Sequence, residues 1–267
     1  MTATQRKAVI VLASEFAIVF ASYLTMVMLG VIVTTRLGID NVSAFDKLRV
    51  PAVTIAHIIV PMIVCFIATM IVVKRRGLGH VVWREPEFVP PELGGKAPTY
   101  APPLDTDDDF FGSALSSEPE PFYQLNVQPR VSRLWWLLGS LMTLGALLAI
   151  IHGAISMDAT LTELLIGTLG AITWALAQEY LLRGLLVAEA RRFARRDRWA
   201  LATSLIASAA WVLPLATTAE TDTRVIVLLL LAVGTAIPSF ALRRMFTTLW
   251  APVIGNALFI TAFFVLG

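Results

Sequence analysis

Seven runs of apolar residues alternate with polar connections along this chain. They cover Ala8–Thr34, Pro51–Val73, Arg133–Ser156, Leu161–Leu182, Trp199–Ala216, Val225–Leu242 and Thr247–Leu266. A hydrocarbon core about 30 Å thick needs roughly 20 residues of helix to cross it, so each run predicts a membrane-spanning helix. The fifth and sixth runs are the short ones, which predicts tilted or partly interfacial helices there. The fold class that follows is all-α, a polytopic transmembrane helix bundle of about seven spans.

One long polar segment, residues 74–132, interrupts the pattern. It carries Pro86, Pro90, Pro91, Pro98, Pro102, Pro103, Pro119 and Pro121 together with Asp105 and Asp107-Asp108-Asp109. Loops of this length without periodicity are either solvated linkers or segments ordered against a partner. The scattered aromatics Trp83, Phe88, Tyr100, Phe110, Phe111, Phe122 and Tyr123 are what a docked segment would use as anchors, and both readings stand. The chain then divides into a two-helix hairpin (1–73), a Pro-rich and acidic linker (74–132) and a five-helix unit (133–267), with no internal repeat.

Composition sharpens the membrane reading. The 267 residues are 57% hydrophobic and 15% charged, with mean hydropathy +0.75, against roughly 45–50% apolar and 25% charged in soluble domains. A net charge of +2 is too small to suggest a nucleic-acid partner. The one cysteine, Cys65, allows no disulfide within the chain and no cysteine-based zinc or haem motif. The first apolar run exceeds a signal-peptide core and lacks a following Ala-x-Ala, so it reads as a retained span.

Charge placement predicts orientation. Arg6-Lys7, Lys74-Arg75-Arg76, the cluster Arg191, Arg192, Arg195, Arg196 and Arg198, and Arg243-Arg244 fall on alternate connections. Basic loops stay inside, which puts the N-terminus and residues 74–132 in the cytoplasm and the C-terminus outside, in a plasma (inner) membrane. The opposite connections hold Asp158, Glu163, Glu220, Asp222 and Arg224; the loop Thr35–Val50 is mixed, with Arg36, Lys47 and Arg49. Basic residues beside the membrane also attract anionic lipid, by about 1 kcal/mol each.

The chemically informative stretch is Gln178-Glu179-Tyr180-Leu181-Leu182-Arg183-Gly184. Ionisable groups within a span are expensive, on the order of 2.5–3.5 kcal/mol each, and usually mark a partner or a function. Glu179 and Arg183 lie four apart, on one helical face, and can neutralise each other. Gln178 and Asn256 can hydrogen-bond across helices. Glu15, early in the first run, either reaches the aqueous interface or pairs with a partner chain. His57, His80 and His152 lie apart from one another, and a lone histidine in an apolar helix reads as a hydrogen-bonded structural residue. With no pair of histidines and a carboxylate at ligand spacing, no metal site is expected, and no cofactor. Gly139, Gly145, Gly153, Gly167 and Gly170 let helices approach closely, Trp135-Trp136 sits at an interfacial belt position, and Pro214 and Pro238 mark kinks.

Residues 161–266 resemble the CPBP family of CAAX proteases and bacteriocin-processing enzymes, also called the Abi family. Its pattern is a Glu-Glu-x-x-x-Arg helix, a Phe-x-x-x-His helix and a helix with His and Asn. The chain offers Gln178-Glu179-x-x-x-Arg183 for the first, the run Ser204–Trp211 for the second and Leu249–Leu258 for the third. The resemblance implies a helical membrane fold and an intramembrane endopeptidase in which glutamate and histidines activate water. The reactive positions depart from it. Gln178 replaces the first glutamate, Ala207 and Trp211 stand for the aromatic and the histidine, Asn256 stands for the next histidine, and Ile260 for the asparagine. A carboxamide accepts no proton and an indole offers no acceptor, whereas water activation needs a base. Two functions therefore follow as expectations. In the first, the chain is a catalytically degenerate relative acting as an accessory or scaffold subunit, with membrane lipids and other integral membrane subunits as partners; Gln178, Trp211 and Asn256 line the former site, and Glu179–Arg183 is a structural ion pair. In the second, it is an active endopeptidase with Glu179 as catalytic base. A transporter is disfavoured by the lack of an inverted repeat.

Overall fold

The computed structural model describes residues 3–39, 42–43, 45–79, 82, 140, 144, 160–194, 197–216, 222–246 and 248–266. The third apolar run apart from residues 140 and 144, the linker beyond Val82, His80, His152, Trp135-Trp136 and Glu220 lie outside them. Every described element is a helix.

The first helix, α1, spans Ala3–Arg36, and α2 runs from Pro51 to Arg75. Both stop in the same way. Gly38 (φ 73°) and Gly77 (φ 66°) adopt the left-handed conformation. Ile39 N–H donates to the Thr34 carbonyl and Leu78 N–H to that of Val73, while Gly38 and Gly77 donate to Thr35 and Lys74. These paired bonds satisfy carbonyls that a helix end otherwise leaves bare, and glycine reaches the required φ without strain. Pro51 opens α2 at its first turn, where a missing N–H does no harm.

A π segment, Thr54–Ile59, lies inside α2, with Val60 N–H donating to the Ile55 carbonyl. The next donor in that register would be Pro61, which has none. The Ala56 carbonyl is left facing Gly30 of α1, where a Cβ would come within 2.3 Å of it. The glycine thus lets two backbones meet at a point where a proline has freed a carbonyl.

Helix α3 begins at Leu161. Thr160 caps it, accepting from Glu163 N–H while the Glu163 carboxylate accepts from Thr160 N–H, so Glu163 belongs to a capping box rather than to a loop. The helix continues through Leu161–Glu179, a π segment Tyr180–Leu186, and Val187–Ala194. Gly167 and Gly170 lie where any side chain would strike Leu48, Thr54 or Val265, the close approach expected of them. Helix α4 spans Asp197–Ala216, α5 Asp222–Phe246 (25 residues) and α6 Trp250–Ile260, extended by Thr261–Leu266. Asp222 and Arg224 sit in the first turn of α5, so the sixth run is longer than its apolar stretch suggested.

The helices pack α1 on α2, α2 on α3, α3 on α6, α6 on α5 and α5 on α4. Their shared core includes Tyr23, Met62, Trp174, Leu181, Trp211 and Phe264. Large apolar side chains also cover the outside, among them Ile18, Ile63, Leu165, Ile206, Leu230 and Ile254. A surface of that kind suits lipid rather than water. Four helices are long and apolar enough to cross a membrane: Ala13–Arg36, Pro51–Arg75, Leu161–Ala190 and Arg224–Arg243. The apolar parts of α4 and α6, Ala200–Pro214 and Trp250–Val265, are shorter. The protein is a membrane-embedded helical protein.

Candidate functional site

Glu179 is the last residue of the α-helical part of α3, and the wider π turns begin at Tyr180. Single π turns of this kind recur at functional sites. Arg183 lies within them, with Nη1 3.3 Å from Glu179 Oε1, and both side chains are 0% exposed. The pair is close enough for strong attraction, yet Nε, Nη1 and Nη2 of Arg183 make no hydrogen bond of sound geometry.

Asn256, on α6, donates from Nδ2 to the same Glu179 Oε1 at 3.1 Å. The other carboxylate oxygen, Oε2, has no hydrogen-bond partner. From α5, Ser239 and Arg243 also face this carboxylate; the Ser239 hydroxyl is near it without an aligned hydrogen bond. Arg243 Nη1 donates to the Val82 carbonyl at 3.0 Å. Three helices therefore converge on one buried carboxylate.

Val82 belongs to a short stretch that follows α2. Leu78 and Val82 are both buried, and the Val82 side chain occupies the space left by Gly184, 2.6 Å from where a Cβ would stand. The polar segment after α2 thus begins with residues packed over the end of the site.

Sequence-predicted residues distribute as follows. Glu179, Arg183 and Asn256 come together. Gln178 is buried, but the hydrogen bonds to Glu179 come from Asn256 and none from it. Trp211 is fully buried on the inward face of α4 with Ser204 and Ser208, while Ile206 opposite them is 73% exposed. Its ring stacks on Tyr23 of α1, centroids 4.6 Å apart and planes 10° from parallel. The Trp211 N–H, the Tyr23 hydroxyl and both serine hydroxyls carry no hydrogen bond.

His57 lies far along α2 from Val82, near its start, with Nε2 2.9 Å from Thr34 Oγ1. It belongs to the α1–α2 contact. Glu15, read as reaching the aqueous interface or pairing with another chain, is partly exposed and forms an ion pair with Arg76 of its own chain at 2.9 Å. Among the described residues, no three His, Cys, Asp or Glu side chains cluster as metal ligands would.

Sequence reasoning missed Ser239, Val82 and the role of Arg243. Ser239 and Arg243 are one turn apart in an apolar helix, a signal that was available. Val82 gave none, because it opens a polar segment. Comparison with known proteins leaves the geometry to stand alone: no family model, curated protein or solved structure matches the chain.

Proposed function

We propose that the chain is a catalytically degenerate protein of CPBP type that serves as an accessory or scaffold subunit in a larger membrane assembly. In this reading it crosses the membrane about seven times, with a two-helix hairpin, a Pro-rich cytoplasmic linker and a five-helix unit. The N-terminus lies inside and the C-terminus outside. The observation that carries the reading is the Asn256–Glu179 hydrogen bond. A residue at a position where the family pattern has a histidine binds the carboxylate through an amide N–H. That amide cannot accept the proton released by an activated water. The second such position, Trp211, is occupied by an indole stacked on Tyr23.

The test is a pull-down of the full chain in mild detergent, read by mass spectrometry. Stoichiometric co-purification of integral membrane subunits is expected, and migration alone at every detergent concentration would remove the subunit reading. One observation favours the competing endopeptidase: Glu179 Oε2 has no partner and is the atom a water would need. A cleavage assay on hydrophobic peptides, with Glu179→Ala as control, separates the two. Turnover that depends on Glu179 would replace the degenerate reading with the active one.

A further inference from the structure

Helix α5 carries Pro238 in its interior. Proline has no N–H, so the carbonyl of Gly234, four residues earlier, loses the donor that a regular helix would give it. Gly234 lies midway along the span Arg224–Arg243, at a depth where neither water nor an acyl chain supplies a donor. The flank of the helix at that point is open: Gly234 is exposed, and a Cβ there would meet no neighbouring atom within 4 Å. The nearby hydroxyls are turned elsewhere. Thr235 donates to the Ala232 carbonyl, and Ser239 is buried on the side that faces Glu179.

The same chain shows how a carbonyl freed by proline is covered. On α2 the Ala56 carbonyl, left without a donor before Pro61, faces Gly30 of α1. A neighbouring helix closes on it at a small residue, as membrane helices do. Among the described residues, no helix takes that place beside Gly234. Ile226, Val227 and Leu230 are exposed on the turns before it, so the notch at Gly234 ends an apolar strip along α5.

Chemistry picks the occupant. A lipid tail fills space and donates nothing. A second copy meeting α5 with its own α5 brings the same strip, on which Ile226, Val227, Leu230 and Gly234 offer no side-chain donor, and both carbonyls stay bare. A helix of a different subunit with serine or threonine at the crossing is small enough for the notch and has a hydroxyl to donate. We propose that the strip Ile226, Leu230 and Gly234 of α5 docks a transmembrane helix of a partner subunit, which places a serine or threonine hydroxyl on the Gly234 carbonyl. This rests on the subunit reading above and names the face it uses; it draws nothing from the buried Glu179 site.

The experiment uses the full chain in its native membrane. A photo-cross-linking phenylalanine derivative replaces Leu230 or, as control, the equally outward Leu165 of α3. A discrete adduct with a second integral membrane protein is expected from position 230 and not from 165. Gly234→Leu, which fills the notch, should abolish it. Pro238→Ala, which restores the missing N–H and leaves the notch open, should lower its yield about three- to tenfold. Both variants should match or exceed wild-type thermal stability, since leucine meets no atom of the chain there and alanine favours helix. An adduct of twice the chain's mass, lipid adducts alone, equal adducts from both positions, or a yield unchanged by Gly234→Leu would overturn the docking face; a yield unchanged by Pro238→Ala would overturn the hydrogen bond. Subunits that co-purify with Gly234→Leu as fully as with wild type would overturn this face and leave the subunit reading standing, whereas a wild type that co-purifies with none overturns both.

Discussion

Two places in this molecule bring a π segment, a glycine and buried polar side chains together, and they are finished differently. At the α1–α2 contact, Gly30 meets the Ala56 carbonyl and His57 Nε2 bonds Thr34, so that His57 Nδ1 is the one histidine atom left without a hydrogen bond. The groups are close, and the tightest contact involves main chain. At the α3 site, the tightest neighbour of Gly184 is the Val82 side chain, with the Glu179 carbonyl and Leu249 at ordinary contact distance, and Glu179, Arg183, Ser239 and the α4 serines keep unpaired atoms. Buried polar groups are nearly always satisfied in native proteins, and those that are not call for an explanation. The contrast is one of degree: a single unpaired imidazole nitrogen at the helix joint, against several unpaired atoms, charged ones among them, at the α3 site.

The comparison breaks most readily at Arg183. Arg183→Ala strands Glu179 in the interior and should reduce stability by about 3–5 kcal/mol. The paired Glu179→Gln, Arg183→Gln variant should return to near wild-type stability, as uncharged replacements of buried pairs often do. Equilibrium unfolding in detergent reads both, and a double variant as unstable as Arg183→Ala would show that the ion pair is not the reason.

Next comes the contrast between the two glycines. Gly30→Ala must push apart two backbones and should cost about 1–3 kcal/mol. Gly184→Ala meets the Val82 methyl, which can turn away, and should cost less than half as much. Thermal denaturation of the two variants side by side sharpens the distinction; equal losses would erase it. Smaller again is Thr34→Val, which removes the His57 hydrogen bond at nearly constant shape and should cost about 1 kcal/mol. Smallest is Glu15→Gln, which weakens a partly exposed ion pair and should cost at most about 1 kcal/mol, falling with added salt.

Much of this site was legible because it rests on residue type and spacing. Glu179 and Arg183, four apart in an apolar run, announced a pair, and Asn256 was a polar residue with few other places to go. The lone-histidine reading of His57 named its class but not Thr34, which lies on another helix. The π segments left no mark in the hydrophobic pattern, since their extra residue per turn is set by Pro61 and by close packing rather than by polarity. Val82 was hidden for the opposite reason: an apolar residue at the start of a polar stretch looks like part of a linker until the space above Gly184 is seen. Glu15 and Arg76 are far apart in sequence and met only because α1 and α2 pack antiparallel.

The modest apolar lengths of α4 and α6 bear on the surroundings of the protein. At about 1.5 Å per residue, Ala200–Pro214 and Trp250–Val265 extend roughly 22–24 Å, less than an average bilayer interior. For these two to cross, the acyl chains beside them must shorten, while the longer α1, α2, α3 and α5 impose no such demand. The protein would then wear an uneven collar of lipid, thin beside α4 and α6. It would be drawn toward regions, or toward neighbours, that already tolerate that pinch.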